Sequence, residues 1–459
     1  YPSVSRTHAA INRNDRGEWT LYELGSTGGT LVNGRRVDGN AILEDGDVLS
    51  FGGVESVFLP VPVEEKRAER KSRAANARPV PPWGSLVLLT LFQVLTALQH
   101  VLAAGAEATV NIPLAFLGLT AMMWIYCLTM RMMRRVGFEM ELIAFFLCTL
   151  SLSVTASRFP DNVIKNFLLM LLGLFGFVVL CWLLRDLERA QKARWLMAAG
   201  AGGLLALTLV FGSNREGAKL WIEVGGFTFQ PSEIAKICYI FAGAATLDRL
   251  FRKRNLTLFI VLTAMCGGCL ALMNDFGGAL IFFVTFIVIA YMRSGDWATL
   301  ALITSGCGIG GLMLLRLKPH VAARFAVWGH AWEDASGRGY QQVRTMTASA
   351  SGGLVGVGAG NGWLENVAAA DTDLVFGMLC EEFGFIIACL AVLCIITLAV
   401  FAVRACRAGR SSFYTIAACG AASMMVFQTC LNVFGAVDIL PLTGVTFPFV
   451  SGGGSAMLS

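Results

Sequence analysis

The stretch that decides how this chain is organised is residues 368–384, AAADTDLVFGMLCEEFG, where a polar loop passes directly into an apolar run. Asp371 and Asp373 close the loop, and the run that follows contains the acidic pair Glu381 and Glu382. An ionisable side chain at membrane depth is costly unless it is paired or hydrated, so such carboxylates indicate a functional site. The alternative is that they cap a helix N-terminus, where negative charge is favourable.

Composition places the chain among polytopic membrane proteins. Of its 459 residues, 56% are apolar and only 15% are charged, and the mean hydropathy is +0.65. Soluble domains carry about 25% charged residues. The net charge of +5 is small for this length and falls in short clusters between apolar runs, which indicates membrane topology and argues against nucleic-acid binding.

Residues 1–62 differ from the rest in being polar, glycine-rich and patterned like short strands. Polar and apolar residues alternate at 19–24, 30–37 and 48–51, and the Asn-Gly pair at 33–34 is typical of a tight hairpin turn. The sequence therefore predicts a small all-β module at the N-terminus.

Two motifs of this module carry a resemblance to a known family. The wording VSRTHA at 4–9, followed by STGGTLVNG at 26–34, resembles the forkhead-associated (FHA) domain over nearly all of the segment. The resemblance implies a β-sandwich whose loops bind phosphothreonine, and therefore a threonine-phosphorylated partner protein. The first strands of the family would precede Tyr1, so the module is expected to be a truncated FHA domain.

The same resemblance implies particular phosphate-binding residues. Ser5, Arg6 and Thr27 would contact the phosphate or the peptide, and His8 would support the loop. Hydroxyl groups and a guanidinium match the acceptor oxygens of a phosphate. The family's usual Asn after the Thr is replaced by Gly28 in this sequence.

Residues 63–83 form a basic linker, and apolar runs follow it to the end of the chain. The runs lie at 84–106, 112–130, 139–157, 163–184, 193–212, 232–247, 255–273, 276–292, 297–315, 374–403, 412–436 and from 440 onward. Most have the ~20 residues that span hydrocarbon, so we expect about 12 transmembrane helices, the last of them truncated. The fold class is thus a polytopic α-helical membrane protein preceded by a β module.

Basic residues gather in alternate loops, a pattern in which the basic loops face the cytoplasm. The clusters lie at 131–135, 185–194, 249–254, 293 and 404–410. The sequence therefore predicts a cell-membrane protein whose N-terminal module is cytoplasmic and whose loop 316–373 is extracellular.

Three polar groups lie at the entries of predicted helices. Glu233 and Lys236 are three residues apart, so they share a helix face and should pair, either as a scaffold ion pair or as part of a catalytic site. Asp275 follows Asn274 at another helix entry and is either an N-cap or a site carboxylate.

The long loop and the C-terminus add further candidates. Arg324, Gln341 and Arg344 precede a glycine-rich stretch at 349–358, where small residues permit close backbone approach and arginines can hold phosphate oxygens. Residues 438–455 are broken by proline and glycine, which membranes tolerate only where the backbone lines a cavity or is buried in protein.

Five motifs together closely resemble the SEDS family (shape, elongation, division and sporulation), which includes FtsW, RodA and SpoVE. They are FQPSE at 229–233, Asp275 with its following glycine, the 349–358 stretch, Thr372-Asp373, and the ending from LPLTGV to SGGGS. The resemblance covers 139–459 and leaves two extra helices at 84–130. Gly278 stands where the family usually has Thr.

The resemblance implies a peptidoglycan glycosyltransferase that polymerises a lipid-linked disaccharide-pentapeptide for division, elongation or sporulation. On the family pattern Asp373 is the catalytic base and Glu233 and Lys236 form an ion pair near it. It also implies a partner, a membrane-anchored transpeptidase (class B penicillin-binding protein).

We expect Asp373 to deprotonate the acceptor hydroxyl while undecaprenyl pyrophosphate leaves with inversion, stabilised by Arg324, Arg344, Lys236 or a divalent cation. Candidates for binding the substrate or its pyrophosphate are Asp275, Arg324, Gln341, Arg344, Ser349 and Ser451. The competing hypotheses are a flippase for the lipid-linked precursor and a non-catalytic membrane scaffold.

Overall fold

The structure is a computed structural model of the full chain. It describes residues 3–5, 8–13, 18–59, 81–107, 109–133, 135, 137–215, 218–224, 227–248, 253–294, 297–317, 319–407 and 412–452. Two compact units divide the chain, Tyr1–Val80 and Pro81–Ser459, and each is described by itself below. The predicted linker at 63–83 lies outside the described residues except for its last three.

The N-terminal unit is the predicted all-β module. Its strands are β1 (Ala9–Arg13), β2 (Trp19–Glu23), β3 (Thr30–Val32), β4 (Arg35–Arg36), β5 (Asn40–Leu43), β6 (Val48–Phe51) and β7 (Val54–Val57). They form two antiparallel sheets, ordered β1-β2-β5 and β4-β3-β6-β7. Leu21, Leu43 and Leu49 form the buried core. Asn33 and Gly34 both have positive φ, as the predicted tight turn between β3 and β4 requires.

The second unit is mainly helical. Its helices are α1 (Trp83–Ala104), α2 (Asn111–Met132), α3 (Glu139–Arg158), α4 (Val163–Leu184), α5 (Leu187–Lys192), α6 (Arg194–Phe211), α7 (Pro231–Asp248), α8 (Lys253–Leu272), α9 (Phe276–Ser294), α10 (Trp297–Leu317), α11 (Pro319–Val327), α12 (Tyr340–Gly352), α13 (Val375–Arg407) and α14 (Ser412–Ala436). Each of the first eleven predicted apolar runs coincides with a helix of this set. Eight helices of the described part are long and apolar enough to cross a membrane, so the chain is a multi-pass membrane protein.

Two short elements complete the unit. A three-stranded antiparallel ribbon follows α6, with β8 (Ser213–Arg215), β9 (Ala218–Val224) and β10 (Phe227–Phe229) in the order β10-β9-β8. Residues 319–373 lie between α10 and α13, and we call the end of the bundle at which they lie the loop end.

The twelfth run confirms the prediction of a backbone broken by proline and glycine but not the expectation of a helix. Residues 440–452 contain no helix, so the expectation of a helix in this run is wrong for these residues, while 453–459 lie outside the described part. Pro441 and Pro448 remove backbone donors, and Gly444 has a φ of +70°. Buried Val445, Phe447 and Val450 instead hold the segment in an irregular course against the helices.

Helix α13 is broken at Gly384, whose φ of 83° and ψ of 167° are not helical. The glycine-rich stretch fills the break: Val357 N donates to Glu381 O (2.9 Å), and Phe385 N donates to Gly353 O (2.9 Å). A methyl group on Gly356 would overlap the carbonyl of Glu382. The close approach predicted for these glycines is therefore to the backbone of α13.

Helices α1 and α2, which correspond to the two extra predicted helices, pack on α3. Leu86, Phe116, Leu119 and Leu152 lie in one buried apolar cluster that joins the three helices. The indole rings of Trp83 and Trp124 stack at 6.2 Å between their centroids, which ties the start of α1 to α2. Helices α1 and α2 are thus an integral part of the second unit.

Candidate active site

A cavity of about 510 Å³ opens at the loop end, within the size range of small-molecule binding sites. Three of the predicted site residues line it: Asp275 from the start of α9, Arg324 from α11 and Asp373 from the turn before α13. Arg158 and Lys165 also line it, so the cavity holds both carboxylates and cations.

Asp373 lies in a tight turn organised by one carbonyl group. Ala369, whose φ is +57°, accepts hydrogen bonds at its carbonyl oxygen from the backbone N–H groups of Asp373 (2.9 Å) and Leu374 (3.3 Å). Asn432 Nδ2 of α14 donates to the Asp373 carbonyl oxygen (3.0 Å). A methyl group added to Gly444 would lie 3.1 Å from Asp373 Oδ2 and 3.8 Å from Arg324 Nη1. The irregular C-terminal segment therefore forms a wall beside both side chains.

Asp371 lines the same cavity as Asp373 but is held in an ion pair. Asp371 Oδ1 is paired with Arg158 Nε at 3.2 Å, and both side chains are mostly buried. The same guanidinium donates to the carbonyl oxygens of Glu365 (3.0 Å) and Val367. Arg158 thus fastens the whole turn to α3 by charge-assisted hydrogen bonds.

The role of Arg158 was missed by sequence reasoning. A single arginine in the last turn of a membrane helix is usual, because the charge reaches the interface there. Its position at the end of α3 therefore carried no signal of a contact with residues more than 200 positions later.

Glu233 and Lys236 form the predicted ion pair beneath the large cavity. Lys236 Nζ lies 2.8 Å from Glu233 Oε1 and 2.9 Å from Oε2, and it also donates to Gln428 Oε1 of α14 (2.9 Å). Gln428 in turn donates to Thr446 of the C-terminal segment (2.9 Å). The pair therefore joins α7, α14 and the C-terminal segment in one buried network.

A small cavity of about 20 Å³ beside this pair is large enough for a single water molecule. Gln230, Asp275 and Thr446 line both this cavity and the large one. The buried ion pair is therefore adjacent to the cavity that contains Asp373.

Asp275 caps a helix, as one of its two predicted roles requires, and it also lines both cavities, so its role as a site carboxylate stays a prediction. Its Oδ1 accepts a hydrogen bond from Gly278 N (2.7 Å), so it caps α9. It also lines both cavities. Burial raises the pKa of this carboxyl, while the hydrogen bond from Gly278 and the charge of Lys236 act in the opposite direction.

The acidic pair of α13 holds the loop and does not line the cavity. Glu381 accepts hydrogen bonds from the backbone N–H groups of Trp363 (3.0 Å) and Leu364 (2.9 Å). Glu382 Oε2 accepts from Ser157 Oγ (2.8 Å) and from Gly360 N (3.3 Å). Both carboxylates are buried, so they serve as internal anchors for backbone that has no regular structure.

Four predicted substrate-binding residues lie away from the lining of the large cavity. Gln341 Nε2 donates to Ala368 O (3.1 Å), and Ser349 Oγ donates to Thr345 O within α12 (2.7 Å). Ser451 Oγ donates to Thr372 O (2.7 Å) and so supports the turn of Asp373 from behind.

Arg344, the fourth of them, lies over the rings of Tyr340 and Trp363, at 5.2 Å from each centroid. This stacking is a cation–π contact that holds the guanidinium on the aromatic side chains.

In the β module the predicted loops meet. Thr27 N donates to Ser5 Oγ (3.1 Å), Ser5 N donates to His8 Nδ1 (3.0 Å), and His8 Nε2 lies 2.9 Å from Gly29 O. His8 therefore links the two loops. Arg6 lies outside the described residues.

The side chains of the described residues do not form a recognisable metal-binding cluster. Across the described part of the chain, no group of three or more His, Cys, Asp or Glu side chains is placed to hold a metal ion. The predicted divalent cation stays untested.

The helix bundle and its cavity define a multi-pass membrane protein with a polar, acid-containing site at one end of the bundle. The family model of the FtsW/RodA/SpoVE cell cycle proteins matches residues 131–459, and that of the FHA domain matches residues 1–52. The chain belongs to the FtsW/RodA/SpoVE family and carries an FHA domain.

Curated relatives agree with this assignment. The peptidoglycan glycosyltransferase RodA of Mycobacterium bovis is 29% identical over 317 residues, which cover 64% of this chain and 67% of that one. The probable peptidoglycan glycosyltransferase FtsW of Aliivibrio salmonicida is 33% identical over 269 residues, covering 56% and 66%. The chain is a peptidoglycan glycosyltransferase.

A solved structure of a peptidoglycan synthase complex, described as showing structural coordination of polymerization and crosslinking, shares the fold. It aligns with a TM-score of 0.57 at 23% identity, covering 70% of this chain and 93% of that one. The two extra helices α1 and α2 precede the part that the FtsW/RodA/SpoVE model matches, apart from the last two residues of α2.

Proposed function

We propose that the large cavity is the polymerisation site and that Asp373 is its catalytic base. The observation that carries the proposal is the position of Asp373 in the lining of a cavity that also contains Arg324 and Lys165. A base for the acceptor hydroxyl and cations for a pyrophosphate are the two requirements of glycosyl transfer from a lipid pyrophosphate. Its volume of about 510 Å³ lies in the range of small-molecule sites, and the lipid chains of the substrates would stay in the membrane.

The reaction follows from this arrangement. The carboxylate of Asp373 takes the proton of the 4-hydroxyl of one lipid-linked disaccharide as that oxygen attacks the anomeric carbon of another. The bond from the anomeric carbon to the pyrophosphate oxygen breaks, and undecaprenyl pyrophosphate keeps the electron pair. Because pyrophosphate leaves without being protonated, no second carboxylic acid is required, in contrast to glycosidases.

Cations at the cavity would stabilise the negative charge of the leaving group. Arg324 and Lys165 line the cavity, whereas Lys236 already contacts Glu233 and Gln428. Arg344 is stacked on two aromatic rings outside the lining. We therefore assign the pyrophosphate to Arg324 and Lys165 and regard Lys236 as structural.

A reconstitution assay tests the function. We expect the purified chain in liposomes, supplied with labelled lipid-linked disaccharide-pentapeptide, to form long glycan strands, and we expect more polymer when a membrane-anchored transpeptidase is added as partner. Movement of labelled precursor across the bilayer without polymer would instead support a flippase. If neither polymer nor precursor movement is detected, with or without the transpeptidase, the result would support a non-catalytic scaffold.

A divalent cation would be carried by the pyrophosphate of the substrate, since Mg²⁺ at such sites is held mainly by phosphate oxygens, water and one or two carboxylates. Removal of divalent ions with a chelator in the same assay tests this proposal. Unchanged polymerisation would contradict it.

We propose that the β module lies in the cytoplasm and the loop end outside the cell. The alternation of basic and non-basic loops supports this orientation. A cysteine introduced at the exposed Ser336 should react with a membrane-impermeant maleimide in intact cells, above the background of the wild-type chain. If the cysteine is labelled only after lysis, the loop end lies in the cytoplasm and the proposed orientation is wrong.

We propose that the FHA module binds a phosphothreonine-containing partner through Ser5 and Thr27, which are joined by a hydrogen bond. In the full-length protein, Ser5→Ala should weaken binding of a phosphothreonine peptide by about tenfold or more, because it removes a hydrogen bond to a charged group. Ser56→Ala, on β7 of the same module, is the matched control. Equal binding of the phosphorylated and unphosphorylated peptides would rule out this role.

A further inference from the structure

Helix α1 carries a buried polar stripe although it lies outside the residues matched by the FtsW/RodA/SpoVE model. Gln93, Thr96 and His100 are spaced three and four residues apart and are at most 3% exposed. Polar side chains inside a membrane bundle are expensive, and those that face its interior usually have a function. The stripe therefore indicates that α1 does more than add hydrophobic surface.

The stripe connects α1 to α3. Gln93 Nε2 donates to Thr149 Oγ1 (3.1 Å) and Gln93 Oε1 accepts from Thr120 Oγ1 of α2 (2.8 Å). Near the loop end of the helix, His100 Nε2 lies 2.7 Å from Ser153 Oγ. The contacts of Gln93 stay within the helices, whereas His100 lies close to the loop.

The His100 end of α1 touches the loop directly. Gly360 has a φ of +81°, and a methyl group added to it would lie 3.0 Å from His100 Nδ1 and 3.2 Å from Ala103 Cβ. Only a glycine lets the backbone approach the helix this closely in this conformation. The loop is therefore seated against α1.

The same part of the loop is tied to α3 and α13. Gly360 N donates to Glu382 Oε2, which also accepts from Ser157 Oγ, one turn of α3 beyond Ser153. The next residue of α3, Arg158, binds Asp371. The last two turns of α3 thus contact His100, the anchor of Gly360 and the turn that presents Asp373.

We propose that His100 is a positioning residue for glycosyl transfer. It fixes residues 358–366 through Ser153 and Gly360, and these residues together with Arg158 set the position of the Asp373 turn. His100 touches none of the reacting atoms. The proposal rests on the proposed role of Asp373, since positioning matters only if that carboxylate reacts.

The test compares His100→Ala with His100→Gln and with Gln93→Leu as the matched control on the same helix. We expect His100→Ala to lower kcat about tenfold with little change in KM, because a displaced catalytic group slows the reaction without weakening substrate binding. His100→Gln can still reach Ser153 and should restore most of the rate. Gln93→Leu should stay within about twofold of the wild type, because its contacts do not reach the loop.

Hydrogen–deuterium exchange of residues 357–366 supplies a readout that is independent of activity. We expect faster exchange in His100→Ala, and in the milder Ser153→Ala should the first variant fold poorly, but no change in Gln93→Leu. Unchanged exchange, or a loss of rate in Gln93→Leu equal to that in His100→Ala, would overturn the proposal. If the Asp373→Ala variant polymerises as well as the wild type, the proposed role of Asp373 is overturned. The exchange result would still show that His100 holds the loop.

Discussion

Replacing Asp373 with asparagine is expected to reduce glycan polymerisation by about 100-fold or more, since general base catalysis contributes about 10²–10⁴-fold. The substitution keeps the shape of the side chain but removes its negative charge and its ability to take a proton. The backbone contacts that hold the turn, from Ala369 O and from Asn432 Nδ2, do not involve the replaced atoms. The measurement is the yield and length of strands formed from labelled lipid-linked precursor in liposomes.

Glu333→Gln is the matched control for this experiment. It removes one carboxylate charge from an exposed position in the same loop, between α11 and α12, and Glu333 does not line the large cavity. We expect it to polymerise at the wild-type rate. If the Asp373→Asn variant keeps more than a tenth of the wild-type rate and its thermal stability is unchanged, Asp373 is excluded as the base.

Local patterns were sufficient to predict most of the helices and one part of the site. Helices α13 and α14 coincide with their apolar runs because length and hydropathy alone decide whether a segment can cross a membrane. The pair of Glu233 and Lys236 was predictable because residues three apart share a face of a helix. Each of these predictions depends only on residues close together in the chain.

Contacts between segments that are distant in the chain could not be predicted, because local patterns carry no information about them. Nothing in the sequence near Arg158 indicates its pairing with Asp371, because the contact depends on how α3 packs beside the loop. Arg344 satisfied the sequence criterion for a phosphate ligand, yet two aromatic rings hold it elsewhere. A guanidinium suits both environments, so only the packing distinguishes them.

The glycine-rich stretch shows that a correct local inference can leave the contacting partner open. Glycines do permit close backbone approach there, as predicted, but what approaches is the broken helix α13 at Gly384. The carbonyl groups of Glu381 and Glu382, freed by the break, accept hydrogen bonds from Val357 and Gly358. A break in a membrane helix must satisfy its backbone groups within the protein, and this stretch supplies those partners.

The second large effect concerns the buried ion pair. Replacing Lys236 with methionine is expected to lower the free energy of unfolding by about 3–5 kcal/mol, because Glu233 would be left as a buried charge without its cation. Lys236 and Glu233 are 6% and 1% exposed, so water offers little compensation. The measurement is the denaturant or thermal unfolding of the purified protein in detergent, with Lys219→Met on the exposed face of β9 as the control for loss of a lysine.

The double variant Glu233→Gln with Lys236→Met separates a structural role of this pair from a catalytic one. Removing both charges leaves no uncompensated ion, so we expect most of the lost stability to return. If the pair only joins α7 to α14 and the C-terminal segment through Gln428 and Thr446, polymerisation should return together with stability. A double variant that is stable but inactive would show that a charge of this pair is needed for the reaction, and Lys236 would then join Arg324 and Lys165 as a candidate ligand of the pyrophosphate.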